Sequence, residues 1–184
     1  MHILVATDGT LDPERAADAV ARWFTEGDEV TVFTAMDIPT DFLRRMGDSG
    51  IKEAATIAHE AGQGFTSGDR AAQQMAPLRK VHADAAVDSP SPVLTALAGG
   101  AAERTKPIMK ALAARDVAAK ARWITTENRT ARSIMRAIKQ YESGLLIIGS
   151  HGRGRFEGLL GSTGTKLVRQ SPASVLVIRN PTKS

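Results

Sequence analysis

Large apolar residues gather into short unbroken runs separated by stretches with helical spacing. Ile3-Leu4-Val5-Ala6 and Leu145-Leu146-Ile147-Ile148 are continuously apolar, the signature of strands covered on both faces. Val30-Thr31-Val32-Phe33-Thr34-Ala35 and Val175-Leu176-Val177-Ile178 read the same way, and Ala121-Arg122-Trp123-Ile124-Thr125 reads as a weaker strand. After the first run, Ala17, Val20, Ala21 and Phe24 fall at i, i+3, i+4 and i+7, with Asp12 as N-cap, Pro13 in the first turn and Gly27 as terminator. Ala131, Ile134, Met135, Ile138 and Tyr141 form a second stripe, which Gly144 breaks. A last helix is expected over residues 162–170, stopped at Ser171-Pro172. Trp23 and Trp123 are expected to be packing residues. Strands alternating with helices imply an α/β fold, a doubly wound five-stranded parallel sheet.

The grammar lapses between the second and third strands, where far more chain lies than one crossover helix needs. An alanine-rich helix is expected near Ile51 to Ala61, breaks at Gly62, Gly64 and Gly68, and a turn at Asp88-Ser89-Pro90-Ser91-Pro92. Ile108, Met109 and Leu112 would carry the helix that returns to the sheet. We therefore expect a single domain, 1–184, with an insertion over residues 41–104.

Composition narrows the choice of partner. Lys and Arg exceed Asp and Glu by 24 to 20, a net charge of +4 spread along the chain, and aromatic residues are 4% of the total. That is a solvated mixed-charge surface with few stacking platforms, so no nucleic-acid partner is expected. There is no cysteine, hence neither a disulfide framework nor a thiolate metal site. Met1 leads directly into the first strand without a signal-like segment, and no apolar run approaches the roughly 18–20 residues that span a bilayer. A cytoplasmic protein without a membrane partner is expected.

The chemistry points to one end of the sheet. Gly149-Ser150-His151-Gly152-Arg153-Gly154 leaves a buried strand, and Gly161-Ser162-Thr163-Gly164-Thr165 opens a helix. In open α/β sheets ligands collect beyond the C-terminal strand ends, where a helix N-terminus offers unpaired N–H groups and partial positive charge to an anion. Glycines admit close approach of a phosphate, and Ser162, Thr163 and Thr165 add hydroxyls. A phosphate-binding loop or a plain loop both fit the glycine pattern alone. It is not a Walker P-loop, because Lys166 follows Thr165 and not glycine. A dinucleotide fingerprint would follow the first strand, where Thr7-Asp8-Gly9-Thr10 stands instead.

Taken together, Ile3-Leu4-Val5-Ala6-Thr7-Asp8-Gly9, Ile147-Ile148-Gly149-Ser150-His151-Gly152, Gly161-Ser162 and Val175-Leu176-Val177-Ile178 resemble the universal stress protein family, over about residues 2–36 and 118–179. Nucleotide-binding members carry Gly-x-x-Gly, nine residues, then Gly-Ser or Gly-Thr; here eight residues separate Gly152 from Gly161. The resemblance implies strand order 3-2-1-4-5 in an adenine-nucleotide alpha-hydrolase-like fold, bound ATP with or without Mg2+, and a homodimer through the last strand. It puts Ala6, Thr7 and Asp8 beside the adenosine and Ala35 at the adenine, with Ile148 and Gly149 near the ribose. Gly152 and Gly161 would admit the phosphates, and Ser162, Thr163 and Thr165 would bond their oxygens.

Each residue also has a plainer reading. Asp8 before Gly9 can cap a turn without any ligand. His151 has no carboxylate or second histidine near it in sequence and reads as loop backbone, while Arg153 and Arg155 either clamp phosphates or are solvated. Three function classes follow: a nucleotide-binding regulatory protein in stress response, whose ATP occupancy or dimer state a protein partner senses; an interaction module of the same family without nucleotide; and an enzyme. Related adenylyl-transferring enzymes carry His-x-Gly-His or Ser-Gly-Gly-x-Asp-Ser after the first strand, unlike Thr7-Asp8-Gly9-Thr10, and no nucleophile–base pair is visible. No catalytic residue is assigned, and slow ATP hydrolysis is the most chemistry expected.

Overall fold

The computed structural model describes residues 1–37, 92–126, 129–150 and 160–179. In chain order the elements are β1 (His2–Ala6), α1 (Pro13–Trp23), β2 (Glu29–Asp37), α2 (Pro92–Ala113), β3 (Lys120–Thr126), α3 (Thr130–Gln140), β4 (Ser143–Gly149), α4 (Ser162–Gln170) and β5 (Ser174–Ile178). The five strands form one sheet in the order β3-β2-β1-β4-β5, and every neighbouring pair is parallel. This is the expected doubly wound topology. Parallel neighbours need crossover connections, and the alternation of strand and helix supplies them.

Side-chain alternation in β1 explains why its sequence is apolar throughout. Ile3 and Val5 enter one layer with Val30, Val32, Leu145 and Ile147, against Ala16, Ala17 and Val20 of α1 and Ile108 and Leu112 of α2. Leu4 and Ala6 enter the other with Phe33, Leu146 and Ile148, against Ala131, Ile134 and Ile138 of α3 and Leu167 of α4. A strand buried on both faces has no polar positions to spare.

Local chemistry sets the helix ends. Asp12 is the N-cap of α1: its Oδ1 accepts from the Arg15 N–H at 2.9 Å, and Pro13 occupies the first turn, where no intrahelical N–H bond is lost. The buried face of α1 is Ala16, Ala17 and Val20; Ala21, expected in the stripe, is exposed and Phe24 half-buried. Trp23, expected to pack, is 57% exposed, although it lies three residues past the buried Val20. Helix α2 starts at Pro92, well before Arg104, where the sequence reading ends the insertion; residues 92–104 are its first turns. Its buried positions Ala101, Thr105, Ile108 and Leu112 follow helical spacing, and Pro107 sits on the exposed side, where the carbonyl it leaves without a donor can reach water. Arg115, just past α2, joins it to α1 through Glu14 at 2.9 Å and Asp18 at 2.7 Å. The expected helix at 51–61, the glycines at 62, 64 and 68 and the turn at 88–91 lie outside the described residues.

Candidate functional site

The strand order reverses direction between β1 and β4: the crossovers from β1 lead outward through β2 to β3, and the chain then returns to β4 on the other side. Such a switch point leaves a crevice beyond the carboxyl ends of the two central strands, because the helices that follow them depart to opposite faces. Three pieces of backbone border it here: the turn Thr7–Thr10 after β1, Gly149 and Ser150 at the end of β4, and the start of α4.

The turn after β1 is held by its own side chains. The Thr7 N–H continues the sheet by donating to the Phe33 carbonyl at 2.9 Å, and the Thr7 hydroxyl accepts from the Gly9 N–H at 2.9 Å. Asp8 Oδ1 accepts from the Thr10 N–H at 3.0 Å and from the Thr10 hydroxyl at 2.6 Å. Gly9 has φ +92, a conformation that side-chain-bearing residues reach only with strain. Asp8 is thus a turn-capping residue, as its plainer reading has it; its carboxylate is half-buried beside the crevice.

Across the crevice, the Ser150 N–H donates to the Ile178 carbonyl at 2.8 Å and carries the β4–β5 pairing one step past Gly149. Helix α4 opens at Ser162 with Gly161 as N-cap, at φ −59 and ψ 166, and no side chain among the described residues caps it. Its first-turn N–H groups are therefore available to an external acceptor. Among the described residues a Cβ at Gly161 would meet nothing within 4 Å, and its φ is one that any residue adopts. Neither the backbone angles nor packing among the described residues requires glycine there. Ser162 is exposed and Thr163 half-buried, while the Thr165 hydroxyl is engaged on the Leu160 carbonyl at 3.1 Å. The first turn carries no acidic residue.

Of the site residues read from sequence, the structure brings Thr7, Asp8, Gly149, Gly161, Ser162, Thr163 and Thr165 to this end of the sheet. Ala6, Ala35 and Ile148 also lie near the C-terminal ends of β1, β2 and β4, but their side chains belong to the apolar layer beneath α3 and α4, so what they offer a ligand is mainly backbone. Gly152, with His151, Arg153, Gly154, Arg155 and Gly158, lies outside the described residues. Among the described residues no group of three or more His, Asp or Glu could hold a metal ion. No helix of the described residues is long and apolar enough to cross a membrane.

One residue at this end escaped the sequence reading. Arg104 of α2 donates from Nη1 to the Ala35 carbonyl at 3.2 Å, and its Cγ lies 3.1 Å from where a Cβ on Gly9 would be. The two partners are 69 positions apart in sequence, and only the packing of α2 onto β2 brings them together. A second polar cluster lies at the opposite end of the sheet. The His2 ring stands 2.8 Å from the Ser143 hydroxyl and 3.0 Å from the Thr31 hydroxyl, and stacks on Tyr141 with ring centroids 5.2 Å apart. Burial pushes the His2 pKa below its ordinary value; Glu29 opposes that shift, and Lys120 and the terminal amine add to it.

Solved structures share this architecture. The chain aligns with hypothetical protein MJ0577 at 19% identity and TM-score 0.56, covering 99% of this chain and 97% of that one. It aligns with a universal stress protein family member from Burkholderia pseudomallei at 17% identity and TM-score 0.53, covering 96% and 94%. With a universal stress protein from Archaeoglobus fulgidus the figures are 15% identity, TM-score 0.50, and 97% and 93% coverage. At such identities the likeness speaks for the fold. No match to a curated protein sequence was found. The model of the universal stress protein family matches residues 1–179, nearly the whole chain, and the chain belongs to that family.

Proposed function

We propose that this protein binds an adenine nucleotide, ATP with or without Mg2+, in the crevice between β1 and β4, and acts in the cytoplasm as a stress-response regulator. The observation that carries the reading is the start of α4: N–H groups that no described side chain caps, at a switch point, beside a glycine that neither its backbone angles nor packing among the described residues demands. Triphosphate would meet Gly161, Ser162 and Thr163 there, with Gly149 and Gly152 on the loop side. Adenosine would lie over the Thr7–Asp8 turn toward Ala35, meeting Ala6 and Ile148 mainly through their backbone. No catalytic residue is proposed.

Output to a protein partner would run through occupancy and pairing of two chains. Strand β5 is a sheet edge whose Val175, Leu176 and Val177 are only half-buried, an open ladder that a second copy can complete.

A second reading, an interaction module without nucleotide, is favoured by one set of contacts. Asp8 and Thr165, both expected at the ligand, already have partners in Thr10 and Leu160. Calorimetric titration of nucleotide-free protein with ATP decides between the two. The nucleotide reading expects saturable binding that Ser162→Ala weakens roughly ten- to a hundredfold, the loss of one bond to a charged oxygen. Absence of ATP binding to wild type would transfer the function to the interaction module.

A further inference from the structure

We infer that Arg104 is a base-reading residue that donates to N7 of adenine, completing a donor–acceptor–donor row begun by the backbone of Ala35. The inference rests on the nucleotide reading above and adds a side-chain contact to N7, an acceptor that both purines share, so that the choice of adenine over guanine stays with the Ala35 backbone.

The argument begins with strand lengths. Pairing of β1 with β2 ends at Ala6 opposite Phe33, and the last bond between them runs from the Thr7 N–H to the Phe33 carbonyl at 2.9 Å. Strand β2 continues beside β3 as far as Asp37. The in-plane polar groups of a strand alternate sides at each residue, so Ala35, two residues beyond Phe33, turns its N–H and carbonyl toward the same edge. There β1 has already left the sheet for the Thr7–Thr10 turn. A short piece of strand edge is thereby left facing the crevice.

Arg104 occupies that edge from the side. Its Nη1 donates to the Ala35 carbonyl at 3.2 Å, and its stem runs tight against Gly9, with Cγ 3.1 Å and Cα 3.7 Å from a Cβ placed there. The guanidinium is a planar fork of five N–H donors, and a carbonyl oxygen has two lone pairs. One N–H on Ala35 therefore leaves donors for an acceptor beside that carbonyl, and leaves the carbonyl one lone pair for a second donor. In order, the edge presents the Ala35 N–H, the Ala35 carbonyl and the Arg104 guanidinium. Adenine presents the complement: N1 accepts, the N6 amino group donates, N7 accepts. Guanine offers a donor at N1 and an acceptor at O6, opposing the first two members of the row.

Arg104 could instead do no more than cap a strand-end carbonyl, and 7-deaza-ATP, in which a C–H replaces N7, separates the two roles. Binding of ATP and 7-deaza-ATP is measured by calorimetry on wild type, Arg104→Met and Arg104→Lys. Wild type is expected to prefer ATP roughly ten- to a hundredfold, the span of a bond with a charged donor. Arg104→Met should bind ATP as weakly as 7-deaza-ATP and no longer distinguish them, and Arg104→Lys should keep part of the preference. Equal affinity of wild type for the two nucleotides, or a preference that survives in Arg104→Met, overturns the role of Arg104. The wild-type comparison holds even if a variant fails to fold. Failure of wild type to bind ATP at all is a different result: it overturns the nucleotide reading and this inference with it.

Discussion

Gly161→Ala separates what the fold needs at the start of α4 from what a ligand needs. Two local effects of the added methyl oppose each other. Alanine is a poorer N-cap than glycine, which costs about 0.5–1 kcal/mol. Backbone angles of −59 and 166 suit alanine without strain, so the less flexible unfolded chain returns about 0.4–1 kcal/mol. Packing adds nothing among the described residues, where a Cβ meets no atom within 4 Å. Stability should therefore stay within about 0.5 kcal/mol of wild type, a shift of no more than about 2 °C in melting temperature for a chain of this size. Affinity for ATP should behave differently. A methyl group where phosphate oxygens approach the helix N–H groups lengthens or breaks one charge-assisted bond, a loss of about 1.5–3 kcal/mol, or roughly ten- to a hundredfold. Urea unfolding and calorimetric titration of the same preparations give both numbers. Unchanged ATP affinity refutes the placement of phosphates at this helix end, and a melting temperature lower by 10 °C refutes the claim that the protein itself leaves the space open.

Gly9→Ala should be costly without any ligand, because a φ of +92 strains alanine and its methyl group would press on Arg104; a loss of about 1–2 kcal/mol in urea unfolding is expected, and a neutral substitution would contradict the turn geometry. The His2 pKa is lowered on folding, chiefly by burial, so the unfolded chain binds the proton more readily; the stability contribution is complete above pH 6.5 and is lost as pH falls through the folded value. Melting curves across that window should show a decline on acidification that His2→Gln reduces, and identical pH profiles would show that His2 does not contribute. Val177→Lys on the half-buried edge strand β5 should shift a dimer toward monomer in sedimentation, and wild type already monomeric at micromolar concentration would remove the dimer proposal.

How much was legible in the sequence depended on the range of the interaction. Runs such as Ile3-Leu4-Val5-Ala6 and Leu145-Leu146-Ile147-Ile148 are apolar at every position because both faces are covered, so strand identity and the doubly wound class could be read locally. Asp12-Pro13 marked the start of α1, and Gly161-Ser162 marked that of α4, since caps act within a few residues. The strand order was legible only through the family resemblance, because local patterns do not say which neighbours pair. Which residues at a helix end stay covered was not legible either: Trp23 is exposed although it lies three residues past buried Val20, and periodicity alone does not report where neighbouring elements pack. The start of α2 at Pro92 was hidden because 'Ala-Gly-Gly-Ala-Ala' is a weak helical signal that only packing against β2 and α1 makes good. Tertiary structure alone decided that Asp8 bonds Thr10, that Thr165 bonds Leu160, and that Arg104 reaches Ala35. Side-chain hydrogen bonds last only while both partners are held in place, and for Arg104 that requires an entire helix to dock across a separation of 69 residues. Sequence determined the layers; the packing of α2 decided which side-chain donor reaches the Ala35 carbonyl near the end of β2.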